Sequence, residues 1–152
     1  MIEPAIEGIG DEEALRVTLL RHAQEAAARA TAKLGGPLTS QNLDAFLSDN
    51  ECVKYPTVIV YDEAPLEPHQ FAQPVVRDGK CSLHVHPHYA NRPDCVPIIA
   101  AYMAGAINYG AVATLDVCEA YGAGVTCLSH DEFYRTVCQV ADELPLDLLL
   151  ST

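Results

Sequence analysis

From Cys81 to His86 the side chains alternate without a break: Cys81, Leu83 and Val85 are apolar, while Ser82, His84 and His86 are polar. Successive side chains of a strand point to opposite faces, whereas a helix repeats its apolar residues three and four apart. The stretch therefore predicts a strand with one face in a core and histidines on the other. Any fold for this chain has to set a packed layer against Cys81, Leu83 and Val85 and leave His84 and His86 on the far side.

The flanking segments extend that reading. Asp78-Gly79 is a hairpin-turn pair. It joins the histidine strand to FAQPVV, residues 71–76, which Pro74 restricts to an edge or a bulge. YPTVIVYD, residues 55–62, is a β-branched run without helical period and predicts a buried strand. TLDVCEAYG, residues 114–122, predicts a further strand, with Gly122-Ala123-Gly124 as a flexible exit.

Four segments read as helices. The first runs from Asp11, as cap, to Leu34, with Leu15, Leu19, Ala23, Ala26, Ala30 and Leu34 in one stripe and Gly35-Gly36-Pro37 as its stop. A short one covers Ser40 to Ser48, with Leu43, Phe46 and Leu47 inward. The third, Cys95 to Tyr109, is closed by Gly110. Its small residues (Ala100, Ala101, Ala104, Gly105, Ala106) invite close approach and suggest a central helix under the sheet. The last opens on the capping box Ser129 and Glu132, carries Phe133, Tyr134, Val137, Cys138, Val140, Ala141 and Leu144 on an apolar face, and stops at Pro145. The whole is an α+β fold: one layered domain over residues 1–152, with a mostly antiparallel or mixed sheet of about four strands packed with about four helices.

Charge narrows the partners. Nine basic residues against 21 acidic give a net charge of −12, which repels phosphate backbones and anionic membranes. Neither nucleic acid nor a membrane is an expected partner. The first residues lack the basic and apolar regions of a signal peptide, and Pro97, Asn108 and two glycines interrupt the run from Val96 to Leu115. A cytoplasmic protein is expected. None of the six cysteines has the close spacing of a zinc knuckle or redox pair, so five are read as reduced core thiols and Cys127 as a loop residue of open role.

Two imidazoles on one strand face stand about 7 Å apart and can converge on one cation. Neutral imidazole suits a divalent transition metal, zinc first. A third ligand is available from His88, just past Pro87, or from His69 or Glu67 in the loop YDEAPLEPHQ, residues 61–70. Glu63 in that loop could serve as general base toward a metal-bound water. Asp116 and Glu119 are further options, of which at most one can join. This reading gives a small metal-binding protein, whose furthest form is a metal-dependent, hydrolase-like enzyme.

Two other readings compete. A polar outer face is also what any half-buried strand shows, which leaves an acidic, non-enzymatic interaction or oligomerisation module with surface histidines. Weaker is a metal-free pocket in which the histidines bind an anion or shuttle protons. H-E-x-x-H, the phosphate-binding G-x-x-x-x-G-K-[ST], G-x-G-x-x-G after a strand and the G-x-S-x-G elbow are all missing. Whether the chain is an enzyme stays open. The apolar tail LDLLLST, residues 146–152, is expected either to fold back on its own core or to pack across a second copy in a two-fold homodimer.

Overall fold

The computed structural model describes residues 4–144. Among them five helices and three strands follow one another as α1 (Pro4–Leu34), α2 (Leu43–Ser48), β1 (Thr57–Tyr61), β2 (Ala72–Arg77), β3 (Lys80–Val85), α3 (Val96–Tyr109), α4 (Leu115–Thr126) and α5 (His130–Asp142). Short 3-10 turns at Pro87–Tyr89 and Gly110–Val112 flank α3. The fold is α+β, and its sheet is mixed rather than mostly antiparallel.

The strand order is β1-β3-β2, so the histidine strand is central. Asp78 and Gly79 both take left-handed backbone, φ 55° and 74°, as a two-residue hairpin turn of this kind requires. That turn sets Arg77 opposite Lys80, Val75 opposite Ser82 and Gln73 opposite His84. β1 instead runs parallel to β3, from Thr57 beside Cys81 to Tyr61 beside Val85. Pro74 is tolerated because β2 is an edge strand.

Cys81, Leu83 and Val85 are buried in the same core as Ala72, Phe46, Ile99 and Tyr121. Ser82, His84 and His86 stand half-buried on the outer face. The alternation thus does in the structure what it predicts in sequence.

The segment TLDVCEAYG is helical, not a strand, and the supposed glycine exit lies inside it. Thr114 caps α4 by accepting the Val117 N–H, and Asp116 sits in the first turn. The glycines are crossing points. A Cβ on Gly122 would lie 2.2 Å from the Phe133 ring, one on Gly124 2.4 Å from Ala27, and one on Gly105 of α3 2.7 Å from the Cys118 backbone. Helix α4 therefore holds the centre, against α1, α3 and α5, the place expected for α3. Glycine costs about 1 kcal/mol in a helix. Close packing offsets it here, because two backbones can approach where no side chain stands between them.

Smaller departures follow from packing too. Helix α1 continues N-terminal to Asp11, which is not its cap. Leu15 on its stripe is 54% exposed, so the buried part begins near Leu19 and Ala23. Four cysteines are buried, Cys138 is intermediate, and Cys127 is exposed; all six are free thiols. On α5 the capping box forms as expected, but Tyr134 faces out. Pro145 and the leucine tail lie outside the described residues. No helix of the described residues is long and apolar enough to cross a membrane.

Candidate functional site

The outer face is built from the hairpin upward. Row by row it carries Arg77 and Lys80, then Val75 and Ser82, then Gln73 and His84, with Val60 of β1 on the other side of His84. A groove of about 500 Å³ opens there, lined by Val75, Arg77, Asp78, Lys80, Ser82 and His84.

His84 is unusual within this groove. Its Nδ1 is enclosed and has no hydrogen-bond partner, the only such side-chain atom among the described residues. An unpaired buried polar atom costs about 1–3 kcal/mol. Nothing in the strand pairing needs that imidazole, since backbone groups alone hold the ladder.

His86 follows at the strand's end and is differently occupied. Its backbone N–H donates to Phe71 O at 2.8 Å. Its Nδ1 accepts the backbone N–H of His88 at 3.1 Å, which caps the 3-10 turn. A ring nitrogen that accepts has no proton, so the neutral ring carries its proton on Nε2. That Nε2 faces the Glu63 carboxylate at 3.6 Å. The imidazole is 15% exposed and Glu63 65%, so the pair sits at the site's mouth, with the acid in water.

His88 does not join the other two. Pro87 starts the 3-10 turn and swings it toward α5, where His88 Nε2 meets Glu143 Oε1 at 3.1 Å. Glu143 also takes two bonds from Arg92, one of them 2.9 Å from Nη2. Arg92 in turn grips Asp94 through Nε and Nη2. Cys95 Sγ stands 3.7 Å from both acids. Arg92 first, and His88 second, hold the Glu143 carboxyl below its ordinary range. Burial, with the two carboxylates beside it, pushes the Cys95 thiol up to about 11. Both carboxylates here bond the one guanidinium, and the thiol is kept neutral. This cluster ties the end of α5 to the turn before α3, and Tyr89 reinforces it by donating to Val140 O.

The remaining candidates scatter. His69 is exposed, with left-handed φ of 57°, and Glu67 is exposed in a turn closed by Gln70. Asp116 pairs with Arg16 at 3.2 Å and Glu119 with His130 at 2.8 Å, both on α4 and away from the strand face. Among the described residues no three histidine, cysteine or carboxylate side chains stand close enough to hold one metal ion.

Arg77 and Lys80 were not singled out by sequence, although the signal was present. Once Asp78-Gly79 is read as a two-residue turn, its neighbours must oppose each other, and the parity of the strand puts Lys80 on the face of His84. No family model, curated protein or solved structure matches the chain.

Proposed function

We propose that this protein binds a small molecule on the outer face of its hairpin, with His84 as the central polar contact. The observation that carries the reading is a groove of small-ligand volume lined by His84, whose Nδ1 is enclosed and unpartnered. A ligand that turns the ring, so that Nδ1 meets its hydrogen-bonding group, removes the cost of leaving that atom unpaired. His86 stands next along the same face as a fixed Nε2–H donor, oriented by the His88 N–H and by Glu63.

Metal binding is the second reading, with His84 and His86 as ligands and Glu63 the acid in reach of His86. It is supported by the shared face and by the 3.6 Å approach of Glu63 to His86. It also carries a cost. A metal at His86 Nε2 requires the ring proton to move to Nδ1, which breaks the bond that Nδ1 accepts from the His88 N–H. The small-molecule reading requires no such change.

The test pairs elemental analysis of tag-free protein with an NMR screen of small molecules of mixed charge. The expected result is no stoichiometric transition metal and saturable shifts at His84. Stoichiometric zinc whose removal moves the His84 and His86 rings establishes the metal reading instead. Silence in both measurements leaves the interaction module.

A further inference from the structure

We infer that the groove between β2 and β3 takes an anionic small molecule, its phosphate or carboxylate head held by Arg77 and Lys80 and its hydrogen-bonding tail reaching Ser82 and His84. The inference rests on the reading of the outer face as a binding surface and names the class of ligand.

The argument starts from an unfavourable pair. Arg77 and Lys80 are directly opposed across the hairpin. Residues so placed have their Cβ atoms about 5 Å apart, and like charges there destabilise the sheet. Neither cation forms an ion pair among the described residues, although the chain has 21 acidic side chains. Arg16, Lys33 and Arg92 are bridged to carboxylates, while Arg21, Arg29, Lys54 and Arg135 also stand outside any ion pair among the described residues; what sets Arg77 and Lys80 apart is that they face each other at one groove. Two of nine basic residues thus converge, unneutralised, at one end of a groove.

The groove then sets the ligand's shape. Strand residues advance about 3.3 Å each, so the Arg77–Lys80 row lies about 7 Å from the Ser82 row and about 13 Å from His84. One small ion cannot reach both ends without the cations folding down along the strand. An organic molecule with a chain between its two ends can: its oxyanion offers several acceptors to the guanidinium fork and the ammonium, and a hydroxyl or amide at the other end meets the His84 imidazole, turned to bring Nδ1 to the groove. Val75 supplies the apolar wall between the two ends.

Charge selects among anions. Asp78 borders the same groove, and the chain carries −12 overall. A small molecule within a Debye length, about 8–10 Å, feels mainly the two local cations. A long polyanion also meets the acidic remainder and is repelled.

The experiment is an amide and imidazole NMR titration of the full chain with glycerol 3-phosphate, inorganic phosphate, 6-hydroxyhexanoate and uncharged glycerol. Glycerol 3-phosphate or 6-hydroxyhexanoate should give saturable shifts at Arg77, Lys80 and the His84 ring, and whichever binds identifies the oxyanion. Inorganic phosphate should move the turn and leave His84 unmoved. The double substitution Arg77→Gln with Lys80→Gln, both exposed, should weaken the organic anion about tenfold or more. Equal binding by that variant, or no saturable shift with any anion, overturns the inference. If uncharged compounds still shift His84, the surface reading survives and only the anion class fails. If an oligonucleotide binds at the turn more tightly than the small anions do, the charge argument fails.

Discussion

The backbone N–H of His88 donates to Nδ1 of His86, two residues back, at 3.1 Å. Through that bond the Pro87 turn decides the chemistry of the strand's last histidine. With Nδ1 accepting, His86 presents Nε2–H toward Glu63 and cannot offer a lone pair there while neutral. Ring ¹⁵N shifts should therefore show Nδ1 unprotonated and Nε2 protonated at neutral pH, and added zinc should leave them in place. A ring protonated at Nδ1, or one converted by zinc, contradicts this assignment and favours a metal at His86.

Glu143 closes the molecule at the other side of the same turn, with Arg92 and His88 as its partners. Its carboxyl is held below the ordinary glutamate value of 4.5, Arg92 contributing most. A carboxylate depressed in the folded state contributes stability that is complete above the unfolded value. It is lost as pH falls through the folded one. The wild type should thus lose stability below about pH 5, and Glu143→Gln should be less stable at pH 7 yet show a shallower acid decline. Parallel urea midpoints for the two proteins between pH 3 and 7 would refute the role given to this acid.

These two residues also show how far the sequence could be read. The 81–86 alternation fixed which face His84 and His86 share, because strand parity is a local rule that tertiary packing did not override. The direction of His88 depended on Pro87 and on a partner 55 residues later, which no local pattern contains. The helix at 114–122, where the sequence predicts a strand, has a different cause. Val117, Cys118 and Tyr121 resemble strand residues, and Gly122 and Gly124 resemble a loop, until α1 and α5 are known to cross there. Glycine marks close approach as well as flexibility, and only the packing partner tells the two apart.

Those crossings give a prediction opposite in sign to the usual one. Replacing a helical glycine with alanine gains about 0.4–1 kcal/mol when the site is open. At Gly105 the new methyl would stand 2.7 Å from the Cys118 Cα, and at Gly124 2.4 Å from the Ala27 methyl. Backbone cannot step aside as a flexible side chain can, and overpacking costs about 1–3 kcal/mol. Gly105→Ala and Gly124→Ala should each lower the thermal midpoint. A rise in either would mean that the helices are less tightly apposed than described.

Asn108 and Tyr121 converge on one acceptor. Asn108 Nδ2 donates to Cys52 O at 2.9 Å while its Oδ1 accepts the Lys54 N–H at 2.7 Å, and Tyr121 Oη donates to the same Cys52 carbonyl. Together they hold the segment before β1 against α3 and α4. Since either donor alone still satisfies the carbonyl, Tyr121→Phe should cost about 1 kcal/mol, and Asn108→Leu more, because it also takes the acceptor from the Lys54 N–H. The double variant should cost more than their sum, because only then is the Cys52 oxygen without a partner. Strict additivity in denaturant unfolding would show that the shared acceptor does not couple them.

Cys127 ends α4 in left-handed backbone, φ 59° and ψ 33°, and its N–H closes the helix on Ala123 O and Gly124 O. Its thiol is exposed, whereas Cys52, Cys81, Cys95 and Cys118 are buried. Burial pushes the thiols of Cys52 and Cys118 up to about 11. Thiolate is the reactive form, and access is the second requirement. In the native protein a neutral disulfide reagent should therefore label Cys127 rapidly and Cys138 more slowly. The four buried thiols should react only as the protein unfolds. The conformation adds an independent check, since a left-handed residue after a helix is where glycine is favoured. Cys127→Gly should abolish the fast phase and leave the protein as stable or more stable, by up to about 1 kcal/mol. A fast phase that persists in this variant places an accessible thiol elsewhere, and a marked loss of stability means the Cys127 side chain makes contacts that an exposed cap residue does not have.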